Sequence, residues 1–363
     1  MKYIGFFVCL LAAASCAKGA AQTDSGETGQ VALLEQAIED ATSEAGFSGV
    51  VLVADQGNLL FVKAFDPSGI NQAVPVAEDS RFAIASMTKS FTAVLALRLV
   101  EQGRLSLEGS IKAYLPDYPA DYADQVTIRQ LLQNRSGIPH YVSIPGWFDN
   151  DFKRALTKES LLDVVSRLPL AFEPGSDYLY SNVNYYLLGL ILEKVTGEPY
   201  ETVLSDSILQ PVGLSDTGQI YEEAPIPGLV DNYLRNDDGT YEPIPVVNPK
   251  LFRATASQYA TASDLYRWSD ALMGDALLSE ESKSVMWAPE APMAWTVSNW
   301  PTKEGEDMPF HTYNGELIGY TSMLTQFPDT AGTIIILNNN NAGYGQLSGM
   351  TVEIASHLYG SAE

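Results

Sequence analysis

Ser86-Met87-Thr88-Lys89 sets a hydroxyl and an amine three residues apart, behind the short apolar run Arg81-Phe82-Ala83-Ile84-Ala85 and ahead of an apolar-periodic stretch from Ser90 to Gly103. That context predicts a helix with Ser86 in its first turn. Residues three apart on a helix share a face, so the Lys89 amine reaches the Ser86 hydroxyl. A serine becomes a competent nucleophile when a nearby base takes its proton, and a lysine stripped of water is driven toward its neutral, basic form. The helix N-terminus adds backbone N–H groups and a positive dipole end. The plain alternative is a capping serine followed by a solvated lysine, and these four residues alone do not exclude it.

A second cluster, Tyr180-Ser181-Asn182, follows the turn signal Pro174-Gly175. Asn182 is expected to cap a helix running from Val183 to Val195 and stopped at Gly197. At such a loop-to-helix junction the Tyr180 phenol can exchange protons with a substrate. The Asn182 amide can hydrogen-bond a substrate and Lys89 together. A buried tyrosine beside a helix cap is the plain alternative.

Taken in order, these segments resemble the class C β-lactamase-like serine hydrolases, a family of β-lactamases, DD-peptidases, D-amino-acid peptidases and carboxylesterases. The resemblance runs over most of the chain after about residue 30. Besides the two clusters it includes Leu97-Arg98-Leu99-Val100-Glu101-Gln102-Gly103, Thr127-Ile128-Arg129-Gln130-Leu131-Leu132 and Ser136-Gly137-Ile138-Pro139. It continues with Ala260-Thr261-Ala262-Ser263-Asp264-Leu265 and Gly315-Glu316-Leu317-Ile318-Gly319-Tyr320. The resemblance implies Ser86 as nucleophile, Lys89 and Tyr180 as proton carriers, and Asn182 as a substrate contact. It also implies an oxyanion site from the backbone N–H groups of Ser86 and Glu316, and no cofactor. The substrate class implied is a small ester, a β-lactam or a peptide.

The third motif departs from the pattern. Relatives carry Lys-Thr-Gly or His-x-Gly where this chain has Tyr313-Asn314-Gly315. His311 stands two residues earlier, and the strand period of two puts it on the same face, where it is a candidate replacement for the missing cation. Asn134 likewise stands where many relatives have a histidine, and Ala256-Ser257-Gln258 where many have glycines. With a neutral phenol at 313, esterase activity is expected over β-lactamase or D-Ala-D-Ala carboxypeptidase activity. A slowly turning-over penicillin-binding sensor is the further alternative.

A formal charge of −24 argues against a nucleic-acid partner, whose binders carry basic patches. Residues 1–21 read as a signal peptide: Met1-Lys2-Tyr3 is a short basic start and Ile4 to Ala14 an apolar region too short to span a bilayer. Ala13-Ala14-Ser15-Cys16 resembles a lipobox with Cys16 as the lipidated residue, so the membrane enters only through a lipid anchor. Residues 22–29 read as a polar tether. An exported form, periplasmic or membrane-anchored, is expected. Cys9 leaves with the signal, so the folded body carries no cysteine. Three widely spaced histidines, His140, His311 and His357, argue against a metal site.

The elements that must position these groups follow from periodicity and turn signals. Helices are expected over Val31–Ala45, Thr261–Met273 and Met350–Tyr359. A hairpin is expected from Gly49–Ala54 and Leu59–Ala64 around Gln56-Gly57-Asn58. Met293–Val297, Phe310–Asn314, Ser322–Phe327 and Thr333–Asn338 read as strands. Strands at both chain ends predict an α/β (α+β) fold of the β-lactamase/transpeptidase type. Residues 30–85 and 251–363 would form an antiparallel sheet flanked by helices. Residues 86–250 would form an inserted, mostly helical region, with the site in the cleft between.

Overall fold

The computed structural model describes residues 24–66, 74–144, 146–147, 157–220, 225–236, 240–244, 252–303 and 305–360. Cys16 and the proposed signal segment lie outside these residues. The first strands, β1 (Gly49–Asp55) and β2 (Asn58–Phe65), are joined by Gln56 and Gly57, both with positive φ (51° and 74°), the backbone a tight two-residue hairpin requires. Three short strands, β3 (Phe82–Ala83), β4 (Gly218–Gln219) and β7 (Gln258–Ala260), form a small sheet in the order β3-β7-β4. β5 (Tyr233–Arg235) and β6 (Tyr241–Pro243) pair with each other. The chain's last strands, β8 (Thr296–Pro301), β9 (Asp307–Leu317), β10 (Tyr320–Phe327) and β11 (Gly332–Asn338), complete a six-stranded antiparallel sheet. Its order is β2-β1-β11-β10-β9-β8, so N- and C-terminal strands meet where β1 pairs with β11, Gly49 opposite Asn338.

β1 and β11 are buried along nearly their whole length because both faces of the sheet are covered. On one face Val51, Val53, Ile334 and Ile336 pack with Leu34 and Ile38 of helix α1 (Asp24–Ala45) and Leu347 and Ile354 of the C-terminal helix, Tyr344–Tyr359. On the other, Val50, Leu52, Ile335 and Leu337 join the main core. That core includes helix α2 (Thr88–Glu101), α3 (Ile128–Leu132), α4 (Asn182–Thr196) and α5 (Ala262–Met273). Phe91 of α2 stacks on Trp268 of α5 at 3.9 Å between ring centroids. α2 is buried on nearly all sides, including Thr88, Lys89, Ser90 and Thr92.

Several expected boundaries move. α1 begins at Asp24, so most of the expected tether, residues 24–29, is helical. β8 starts at Thr296 rather than Met293, because Ala294 takes φ +66° and breaks the extended run. β9 extends to Leu317 and so carries the whole third motif. The 86–250 region is not wholly helical: β4 lies within it and pairs with β7. Among the described residues no helix is long and apolar enough to cross a membrane.

Candidate active site

Ser86 occupies a 3-10 turn, Ala85–Met87, directly ahead of α2. Ala85 holds φ +48°, a left-handed conformation that costs a non-glycine residue about 1–3 kcal/mol and persists only where the surroundings enforce it. One side of that enforcement is β9. Ser322 of β10 donates its hydroxyl to the Ile84 carbonyl at 2.9 Å, and Gly315 of β9 lies against the same carbonyl. On the other side, the Ile84 N–H donates to the Gln258 carbonyl of β7 at 2.9 Å.

Lys89 lies one turn on. Its Nζ donates to Ser86 Oγ at 2.9 Å and to the Thr255 carbonyl at 2.8 Å. The side chain is fully buried, and loss of water holds the amine well below the ordinary lysine range. Its Nζ lies 5.1 Å from the centroid of the Tyr180 ring and 5.8 Å from that of Tyr185. The lysine–serine pairing expected from the sequence is thus present in space. The Thr255 carbonyl that holds the amine is a backbone atom with no mark in the sequence.

The Tyr180 hydroxyl is 2.8 Å from Ser86 Oγ. Desolvation pushes the phenol up to about 12, against the lowering effect of its hydrogen bonds with Ser86 and Tyr313. Tyr180 owes its place to Asn134, which follows α3 with φ +53°, a conformation asparagine tolerates better than most residues. The Asn134 carbonyl accepts the Leu179 N–H at 2.9 Å, and its Oδ1 accepts the Ser181 N–H at 3.1 Å and Asn184 Nδ2 at 2.9 Å. Both neighbours of Tyr180 are therefore fastened to one residue.

The cap of α4 is Ser181, not Asn182. The Ser181 Oγ accepts the Val183 N–H at 3.3 Å and donates to the Pro139 carbonyl at 3.1 Å. Asn182 is the first helical residue. Its Nδ2 donates to the Tyr141 hydroxyl at 2.5 Å, and its buried Oδ1 has no partner among the described residues. It makes no hydrogen bond to Lys89, contrary to expectation; the amine is bonded to Ser86 and Thr255.

Ser86, Tyr180 and Asn182 open onto a cleft of about 640 Å³, whose other wall includes Tyr313, Asn314 and Glu316 of β9. β8 pairs with β9 only as far as Thr296–Thr312, so among the described residues Tyr313–Leu317 carries no second strand on that edge. Tyr313 is buried, and desolvation raises its phenol well above the ordinary range. His311 does share its face, as expected, but it does not line the cleft. It is buried against Trp287, with ring centroids 4.2 Å apart, and desolvation lowers it to about 4. A neutral, enclosed imidazole does not replace the cation of the third motif.

The sequence reading gave no role to His140, which does line the cleft. Its ring faces that of Tyr180 at 6.1 Å, and its Nδ1 accepts the Val142 N–H at 3.1 Å. Desolvation, with the Lys89 charge second, lowers it to about 4. Among the described residues, no three His, Cys, Asp or Glu side chains gather as a metal site would need.

The sequence profile of the Beta-lactamase family matches residues 34–358. "Penicillin-binding protein 4*" of Bacillus subtilis (strain 168) is 29% identical over 331 residues, covering 84% of this chain and 71% of that protein. A solved structure described as a class C beta-lactamase superposes with a TM-score of 0.77 at 19% identity, over 94% of this chain and 99% of its own. EstCE1, described as a hydrolase with promiscuous acyltransferase activity, superposes with a TM-score of 0.73 at 21% identity, over 92% of this chain and 100% of its own.

Proposed function

Because the chain belongs to the beta-lactamase family, we propose that it is an acyl-serine hydrolase of small esters or amides, with esters favoured. The observation that supports this is the convergence of Lys89 Nζ and Tyr180 OH on Ser86 Oγ, at 2.9 and 2.8 Å, beside an open cleft.

The two proton carriers divide the work by their acidities. A phenol near pKa 12 is about one part in 10⁵ ionised at pH 7, so Tyr180 enters as an acid. Lys89, held low by burial, is the group able to accept the Ser86 proton during acylation. Tyr180 then passes a proton to the leaving group and, in the second half-reaction, helps to activate water. The backbone N–H groups of Ser86 and Glu316 are assigned to the oxyanion. Asn182, Asn314 and Gly315 are assigned to substrate positioning.

Esters are favoured because Tyr313 brings no charge to the place where relatives meet a carboxylate. The likeness to a protein named as penicillin-binding supports the second reading, a β-lactam- or peptide-directed enzyme or a slowly deacylating sensor. Export, with lipidation of Cys16, completes the proposal. Purified protein assayed against p-nitrophenyl esters, nitrocefin and D-Ala-D-Ala peptides tests it. Ester turnover abolished by Ser86→Ala supports the reading, and turnover that survives Ser86→Ala removes it.

A further inference from the structure

Among the described residues, Arg135 is the one permanent cation lining the Ser86 cleft, which Glu290 and Glu316 also line. His140, the other basic residue there, is neutral at pH 7 with its imidazole near 4. Lys89 is enclosed and already committed to Ser86 and Thr255. In a chain with 45 acidic and 21 basic residues, Arg81, Arg129, Arg167, Arg253 and Arg267 each hold an Asp or Glu. Arg135 meets no carboxylate among the described residues. Its Nε and Nη2 both donate to the Gly175 carbonyl, at 3.3 and 3.0 Å.

That contact uses one edge of the guanidinium. Five N–H groups radiate from a planar fork, and with two of them on the Gly175 carbonyl the Nη1/Nη2 end has no hydrogen-bond partner among the described residues. Because one edge is fastened, the free end is held in place, which lowers the entropy lost when it takes a ligand. A planar pair of N–H donors matches a carboxylate in two parallel charge-assisted bonds.

We propose that Arg135 is a specificity-determining residue whose free guanidinium edge receives a carboxylate carried by the substrate away from the scissile bond. The proposal rests on the acyl-serine reading and deepens it. Arg135 belongs to the helical region, whereas Tyr313 belongs to β9. The anion is therefore met by a different element of the cleft from the one that carries the third motif. A carboxylate-bearing ester then fits this cleft better than a neutral ester of equal length.

The test compares two esters of six-carbon acids, p-nitrophenyl hydrogen adipate and p-nitrophenyl hexanoate, in wild type, Arg135→Gln and Arg135→Lys. The quantity read is the ratio of their kcat/KM values. The Arg135 side chain also pins the loop through its bonds to the Gly175 carbonyl, so a merely structural role lowers both rates together. Arg135→Gln is expected to lower the adipate-to-hexanoate ratio by about ten- to a hundred-fold, as loss of a charged hydrogen bond does, with Arg135→Lys between. An unchanged ratio overturns the proposal.

If wild type turns over neither ester, the hydrolase reading fails instead, and binding decides the Arg135 question. Monomethyl adipate is expected to bind Ser86→Ala more tightly than dimethyl adipate does by calorimetry, and to lose that advantage when Arg135→Gln is added. No advantage for the monoanion in Ser86→Ala, or one that survives the added change, overturns the proposal on that route as well.

Discussion

Gly315 and Ile84 approach so closely that no side chain fits between them. A Cβ on Gly315 would lie 2.0 Å from the Ile84 carbonyl oxygen and 2.7 Å from Ser322 Oγ. Both obstacles are fixed, one being backbone and the other its hydrogen-bonded partner. Glycine is needed here for close approach and not for its dihedral freedom. The contact sets the gap between β9 and the turn that carries Ser86, and so the distance across which an oxyanion would be held.

Gly315→Ala is therefore expected to push β9 off the nucleophile turn. Overpacking of this kind costs about 1–3 kcal/mol, and a misplaced oxyanion donor costs on the order of 10²–10³ in kcat. A urea titration reads the first and ester turnover the second. A variant with wild-type midpoint and wild-type rate would show that the gap is not set by this contact.

Lys89 is placed at a cost to the fold. Its amine titrates lower in the folded chain than in the unfolded one because burial removes its water. Between the folded value and the ordinary lysine value, unfolding takes up a proton, so stability rises with pH across that window. Lys89→Met is expected to be more stable than wild type at neutral pH, with the gap closing as pH rises toward 10.5, the ordinary lysine value. The same variant should lose at least about 10³-fold in kcat/KM, since base and nucleophile act as one unit. Thermal melts at several pH values give the comparison. A Lys89→Met protein less stable than wild type at every pH would mean that the bonds to Ser86 and Thr255 outweigh the desolvation.

How far the sequence reveals this site depends on the range of each contact. The Ser86–Lys89 pairing needs only the helical repeat, and Tyr313 with His311 on one face needs only the strand repeat. What the repeat cannot supply is what lies above that face: Trp287 covers His311 and removes it from the cleft. The cap of α4 falls one residue early because Ser181 and Asn182 are both good caps, and the choice is made by Pro139 and Asn134 from elsewhere in the chain. Asn134 holds Tyr180 through its carbonyl and side chain in a left-handed backbone, none of which leaves a pattern in the sequence. The sheet is legible because β1 and β11 are apolar runs. The start of β8 is not, because the positive φ of Ala294 interrupts an apolar stretch that otherwise reads as strand.

Tyr180→Phe is expected to slow deacylation more than acylation, by about 10²–10⁴-fold for the loss of a positioned proton carrier. Lys89 remains bonded to Ser86 in that variant and still takes its proton, whereas the attacking water loses its nearest phenol. Single-turnover kinetics should show the acyl-enzyme accumulating. Unchanged rates for both steps would assign Tyr180 a purely structural part.

Cys16→Ser is expected to move the protein from the membrane to the soluble fraction of a bacterial host. Stable anchoring takes more than one lipid signal, as one acyl chain binds only marginally, so lipidation at Cys16 would have to supply several chains. Fractionation followed by mass spectrometry of the mature N-terminus reads both position and modification. A partition that does not respond to the substitution would argue for ordinary secretion.

Tyr313 sets the last expectation. A neutral phenol offers one hydrogen bond where a lysine or histidine offers a charge-assisted one of about twice the strength. The loss corresponds to about 1.5–3 kcal/mol, or roughly ten- to a hundred-fold in binding of an anion at that point. His311 does not make up the difference, because it is enclosed and stays neutral down to about pH 4. Short-chain esters are therefore expected to be turned over far better than nitrocefin or D-Ala-D-Ala peptides, whose carboxylates would meet β9. Tyr313→Lys should narrow that gap, and His311→Gln should leave it as it is. Arg135 lines the same cleft but is unchanged between wild type and Tyr313→Lys, so the difference between those two proteins reads the third motif alone. Nitrocefin turnover that matches ester turnover at pH 7, and that ignores Tyr313→Lys, would show that this cleft recognises its substrate without the third motif.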